Sequence, residues 1–176
     1  VHAADRVRKR HAASVDAFDS APFEPIGRVA GPHGPVSFVR AGAARRPAAG
    51  LAGPVPMVTC YPGIAADVFD GALGDARGIV VDGFGDLNLP RSLWMPVHAA
   101  WNAGVLVVVA SPAFTPGIGD DDLRALGAVG AGGLPAQKAR LAVMAALATT
   151  SDRDAAVSFV HQYALEFDAG DRSTTP

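Results

Sequence analysis

The chain has 176 residues, 49% of them hydrophobic and 18% charged, with a formal net charge of −2 at pH 7. That composition excludes disorder for most of the chain and allows one domain with an appendage. The only basic run, Arg6, Arg8, Lys9 and Arg10, is too small for a nucleic-acid footprint, and no apolar stretch approaches the roughly 20 residues of a bilayer crossing, so neither nucleic acid nor membrane is an expected partner.

Residues 1–18 place Ala4, Val7, His11, Ser14, Val15 and Phe18 at three- and four-residue intervals, which predicts a short helix. It has no N-cap and no element before it, the appearance of a chain cut inside a larger fold. Val1-His2-Ala3-Ala4 shows no export signal, so a cytoplasmic location is expected. Two β-prone pieces, 26–29 and 36–39, flank Gly31-Pro32-His33-Gly34 and predict a β-hairpin. Residues 41–53, rich in Gly, Ala, Pro and Arg, read as a linker.

Beyond Gly53, strand-like and helix-like segments alternate. Strands are expected at 57–60, 78–81 and 105–110, with a weaker one at 125–130, and helices at 64–73, 92–102, 135–149 and 152–167. Alternation of this kind means parallel pairing, so the fold class is α/β, a small open parallel sheet flanked by helices and preceded by the short helix and hairpin. In such sheets function lies beyond the carboxyl ends of the strands. There the chain has Tyr61-Pro62-Gly63, then Asp82-Gly83-Phe84-Gly85-Asp86-Leu87-Asn88, then Ser111-Pro112. Gly83 and Gly85 are expected to take positive φ and let backbone approach a ligand, with Asp86 and Asn88 adding polar groups. The alternative is a simple strand-to-helix turn in which Asn88 satisfies a helix start.

The order of Tyr61-Pro62-Gly63, Gly78 to Asn88, Gly104 to Val109 and Leu134-Pro135-Ala136-Gln137-Lys138-Ala139-Arg140 resembles the carboxy-terminal domain of bacterial-type L-asparaginases. Val7-Arg8-Lys9 followed by Val15-Asp16-Ala17-Phe18 is similar to the family's lysine segment before the inter-domain linker. The resemblance implies that residues 1–53 are the end of an amino-terminal domain with hairpin and linker, 54–170 the carboxy-terminal α/β domain, and 171–176 a disordered tail. It implies an amidohydrolase that turns L-asparagine and water into L-aspartate and ammonia without metal or organic cofactor. It also implies a homo-oligomer, or a partner supplying the amino-terminal domain, because the family's site is completed across subunits.

Lys9 matches the family's catalytic lysine, which with an aspartate activates a threonine; an ammonium beside a hydroxyl and a carboxylate can tune such a proton transfer. The threonine motifs themselves have no counterpart here, so the chain by itself is expected to be inactive. Asn88 falls on a family asparagine that reaches the neighbouring subunit's substrate, and Asp120 lies near the position of a glutamate that contacts the substrate amine. The run Asp120-Asp121-Asp122 reads equally as an acidic turn and helix cap. Asp86 stands where the family usually has asparagine, a change of local charge that leaves substrate preference open, and Ala110-Ser111-Pro112-Ala113 replaces a serine-serine-arginine stretch, so no role is carried over to that loop. Alternatives are an inactive amino-acid-binding or assembly module, a glutaminase, or an amidotransferase subunit that makes ammonia for a charged RNA. His11, His98 and His161, without acidic or cysteine companions at ligand spacing, read as packing residues; Trp94 and Trp101 share a helix face that packs on the sheet or a partner. Cys60 can form no internal disulfide.

Overall fold

The computed structural model describes residues 1–39, 47–113 and 121–164. The chain divides into two compact units, Val1–Arg45 and Arg46–Pro176.

In the first unit the helix expected over residues 1–18 is absent. Strand β1 (Arg8–Lys9) instead pairs antiparallel with β2 (Phe18–Asp19), and Arg10 Nε lies 2.5 Å from the Asp19 carboxylate. The reason is that the proposed helical face held His11 and Ser14 beside only a few apolar groups, so no stripe was available to bury and cross-strand pairing won. The hairpin forms as expected, β3 (Gly27–Val29) antiparallel to β4 (Val36–Phe38), and a methyl added at Gly27 would stand 2.7 Å from the Ser37 carbonyl. A small centre is made by buried Phe23, whose ring carries the Arg6 guanidinium at 4.4 Å, and by Ser20, whose hydroxyl donates to the Phe23 carbonyl at 2.8 Å.

The second unit is a four-stranded parallel sheet in the order β5 (Met57–Thr59), β6 (Gly78–Asp82), β7 (Leu106–Ala110), β8 (Val129–Gly130). Strand order follows chain order, so each right-handed crossover delivers its helix to the same side. Those helices are α1 (Ala66–Leu73), α2 (Trp94–Asn102) and α3 (Asp121–Leu126). They close over Val58, Ile79, Val81, Val107 and Val109, with Phe69, Leu93, Val97 and Leu123 filling the layer. Helices α4 (Ala136–Thr149) and α5 (Arg153–His161) follow β8; α4 packs on β6 and β7 and α5 on α4 and β7, burying Val143, Phe159 and Val160. Both sheet faces are therefore covered, which explains why β6 and β7 read as continuous apolar runs and not as alternating ones.

Close approach of α4 depends on Gly78, where an added methyl would meet Val143 and Leu147 side chains at 2.9 Å. Arg140 fastens α4 to the chain leading into β5, its Nε donating to the Val55 carbonyl at 2.6 Å. Part of the expected linker also lies along this unit: Ala52 N–H donates to the Met144 carbonyl at 2.9 Å. Asp152 caps α5 by accepting from the Ala155 N–H at 2.7 Å. The strand expected over 125–130 shrinks to Val129–Gly130, because residues up to Leu126 close α3 and Gly127, at φ +83°, turns the chain into the sheet. The end of the last expected helix, beyond Ala164, lies outside the described residues.

Candidate functional site

The carboxyl edge of the sheet aligns Thr59, Asp82 and Ala110 across β5, β6 and β7. From Asp82 the chain enters a tight loop. Gly83 N–H donates to the Ala110 carbonyl at 2.8 Å, and Phe84 N–H to the Asn88 carbonyl at 2.9 Å. The loop folds back so closely that a methyl at Gly83 would meet the Asn88 carbonyl oxygen at 2.7 Å, which is why glycine stands there.

The left-handed conformations expected at Gly83 and Gly85 fall instead on Asp86 (φ 60°) and Leu87 (φ 58°). Each costs about 1–2 kcal/mol for a side-chain-bearing residue. The loop offsets this with its internal bonds, including Asn88 Nδ2 donating to the Gly85 carbonyl at 2.9 Å. Asn88 is thus a clip across its own turn.

The loop forms one wall of a cleft of about 470 Å³. Asp86, Leu87, Asn88 and Leu89 line it together with Asp122, Leu123 and Leu126 of α3 and with Trp94. Trp94 is held by its indole N–H, which donates to the Leu89 carbonyl at 3.2 Å, and by the Arg91 guanidinium 5.4 Å from its ring centre. Trp101, on the same helix, packs against Gly127 and carries the Arg153 guanidinium at 4.1 Å.

Two further polar groups at this edge lack partners. Asp82 Oδ1 and Ser111 Oγ are buried without a hydrogen bond, and Ser111 is only 6% exposed. Burial pushes the Asp82 carboxyl above the ordinary carboxylate range. Cys60, one residue past β5, is pushed up to about 11 by burial and by the nearby Asp82 charge, so its thiol is not a nucleophile near neutrality. His161 is lowered by burial, its Nε2 lying 3.3 Å from the Gly130 carbonyl; His98 Nδ1 similarly meets the Leu126 carbonyl at 3.3 Å. His161 is half-buried, whereas His98 and His11 stand exposed.

The three residues singled out from sequence are not brought together. Lys9 sits on β1 of the first unit, its ammonium 5.7 Å from the Phe18 ring centre. Asn88 belongs to the second unit, and Asp120 lies outside the described residues. Its neighbours Asp121 and Asp122 open α3, where carboxylates complement the helix dipole. Asp122 was not distinguished in the sequence from the rest of the acidic run; only the pairing of β6, β7 and α3 brings it to the same cleft as Asp86. Among the described residues no group of three or more His, Cys, Asp or Glu is placed to hold a metal ion, and no helix is long and apolar enough to cross a membrane.

Comparison with known proteins gives this edge a context. Residues 54–159 match the family model described as the glutaminase/asparaginase C-terminal domain. A probable cytoplasmic L-asparaginase from Campylobacter jejuni superimposes with a TM-score of 0.75 at 28% identity, covering 90% of this chain and 51% of its own. The thermostable L-asparaginase from Thermococcus kodakarensis shares the fold with a TM-score of 0.74 at 23% identity, covering 91% of this chain and 52% of its own. A glutamyl-tRNA(Gln) amidotransferase component from Pyrococcus horikoshii is 31% identical over 117 residues, 62% of this chain and 26% of that protein. The chain therefore spans about half the length of those asparaginases and about a quarter of the amidotransferase component.

Proposed function

The chain belongs to the glutaminase/asparaginase C-terminal domain family, and from this premise we propose that it is the carboxy-terminal part of an L-asparaginase-type amidohydrolase. In that reaction the carbon–nitrogen bond of the side-chain amide breaks, water supplies the oxygen of the new carboxylate, and ammonia leaves. The observation that carries the reading is the match over residues 54–159 with the polar loop after β6 at the carboxyl edge of the sheet.

The roles follow from position and chemistry. Lys9 serves as the ammonium that assists proton transfer to the nucleophile, which residues outside this chain supply, since the family's threonine motifs are not in it. Asn88, its nitrogen engaged by Gly85, offers its side-chain oxygen as an acceptor to the substrate and fixes the turn. Asp120 pairs with the substrate's ammonium. No metal or organic cofactor enters. Homo-oligomerisation, or a partner bearing the amino-terminal half, completes the site. A cytoplasmic location accords with the Campylobacter neighbour, described as probably cytoplasmic. The amidotransferase relatives support, more distantly, a glutamine-type ammonia donor as the second reading.

The test is ammonia release from L-asparagine by the purified chain, alone and mixed with a separately produced amino-terminal asparaginase domain. Activity only in the mixture, lost on Lys9→Ala, is expected. Association without turnover in the mixture leaves a binding or assembly module instead.

A further inference from the structure

The 85–88 turn holds an unfavourable backbone. Asp86 and Leu87 stand side by side in the left-handed region, at φ 60° and 58°, where a Cβ crowds the following carbonyl oxygen. Two such residues in succession persist only where surrounding contacts fix them. Bonds inside the turn supply part of this: Phe84 N–H donates to the Asn88 carbonyl at 2.9 Å, and Asn88 Nδ2 to the Gly85 carbonyl at 2.9 Å. They tie the turn to itself but not to the rest of the domain.

The amino end of the turn is anchored to the sheet, since Gly83 N–H donates to the Ala110 carbonyl at 2.8 Å. At the carboxyl end the chain passes through Pro90, which has no N–H to give. Trp94 supplies an anchor there, its indole N–H donating to the Leu89 carbonyl at 3.2 Å. The base from which it reaches is fixed. Leu93 is fully buried, and the Ser92 hydroxyl donates to the Ile64 carbonyl at 2.7 Å, so the start of α2 is pinned both to the core and to the loop after β5. The Trp94 ring itself is 43% exposed and adds little to the core. Its indole donor is therefore what a tryptophan brings to this position that a phenylalanine would not.

We propose that Trp94 is a positioning residue of the amide site: it holds the 85–88 turn in its left-handed form, so that the side-chain oxygen of Asn88 is oriented before substrate arrives. With Nδ2 engaged by Gly85, that oxygen is the group Asn88 has to offer, and its direction is inherited from the turn. Without the bond from Trp94 the turn relaxes toward ordinary backbone conformations, and only the fraction of molecules still in the left-handed form binds. Apparent affinity falls by that fraction. Bound substrate draws the turn back, so the chemical step keeps its rate. The inference rests on the amidohydrolase reading with Asn88 as a substrate ligand, and it deepens that reading by naming what orients Asn88.

The experiment compares the unaltered chain with Trp94→Phe, which keeps a ring and removes the donor. Hydrogen exchange of the full chain, followed by NMR, is expected to show a protected Trp94 indole hydrogen. In the variant the Phe84 amide should exchange on the order of tenfold faster while the amides of β6 and β7 are unchanged. An indole hydrogen that exchanges as freely as in an unfolded peptide overturns the proposal without any variant, and so decides the matter even where Trp94→Phe fails to fold. Unchanged exchange at Phe84 overturns it as well. In the mixture with the amino-terminal asparaginase domain, Trp94→Phe should raise KM for L-asparagine about tenfold and retain kcat. A merely structural bond would leave KM where it was. Ammonia release with KM unmoved, or with the loss confined to kcat, removes this proposal alone. If the unaltered mixture releases no ammonia, the amidohydrolase reading falls, and the exchange result alone decides whether Trp94 holds the turn.

Discussion

The two units use the same kinds of strand-forming residue and reach opposite outcomes. In Arg46–Pro176, the valines of β6 and β7 are sealed between three helices on one side and two on the other. In Val1–Arg45, the strands are two or three residues long and Phe18, Val29, Val36, Phe38 and Val39 stand exposed. Ordering each residue costs about 1–2 kcal/mol of backbone entropy. A covered sheet repays that through burial on both faces; an uncovered hairpin repays it with few cross-strand contacts. β-propensity forms the strand in either place, but only layering makes it a core.

The largest expected effect tests that contrast directly. Phe69→Ala, at a ring with 0% exposure, should cost about 3–5 kcal/mol, whereas Phe38→Ala, at 67% exposure, should stay within about 0.5 kcal/mol. Urea unfolding of both variants checks this, and comparable losses would break the comparison.

Glycines sharpen it. Gly31 and Gly127 share a left-handed backbone, φ +79° and +83°, but a methyl at Gly31 meets nothing within 4 Å while one at Gly127 would lie 2.7 Å from Trp101 side-chain carbons. Gly31→Ala should cost about 1 kcal/mol, the backbone term alone. Gly127→Ala should cost roughly 2–4 kcal/mol, because the overpacking of α2 is added. Thermal denaturation of the pair separates the two contributions.

The smallest effects concern carboxylates, and here the units should differ in sign. Asp19, paired with exposed Arg10, should lose no more than about 0.5 kcal/mol on Asp19→Asn. Asp82 has a buried oxygen without a partner, so Asp82→Asn should stabilise the second unit by about 1 kcal/mol near neutrality. The sign with pH follows from the raised carboxyl. As pH climbs past the ordinary value of 3.8, the unfolded chain releases its proton before the folded one, so native stability falls across that window. The gain from Asp82→Asn should therefore be absent below it and complete above the raised folded value, which melting curves across acid to neutral pH would show.

Much of this molecule is legible without coordinates. Continuous apolar runs such as Leu106–Ala110, separated by helix-like segments, dictate a buried parallel sheet, since only buried strands tolerate apolar groups on both faces. The succession of the Gly78 to Asn88 and Leu134 to Arg140 segments pointed to the family that residues 54–159 match. What local pattern could not decide was anything set by contacts between distant segments. Residues 1–18 carry weak helical spacing, but pairing of Arg8–Lys9 with Phe18–Asp19 overrides it. Positive φ was expected at the loop glycines and fell on Asp86 and Leu87, because the bonds across the 83–88 turn outweigh the local preference. Asp122 looks in sequence like any residue of an acidic helix start. It becomes part of a cleft only because β7 lies beside β6 and brings α3 to the cleft that the loop also lines, a juxtaposition that exists in the folded sheet and nowhere in the order of residues.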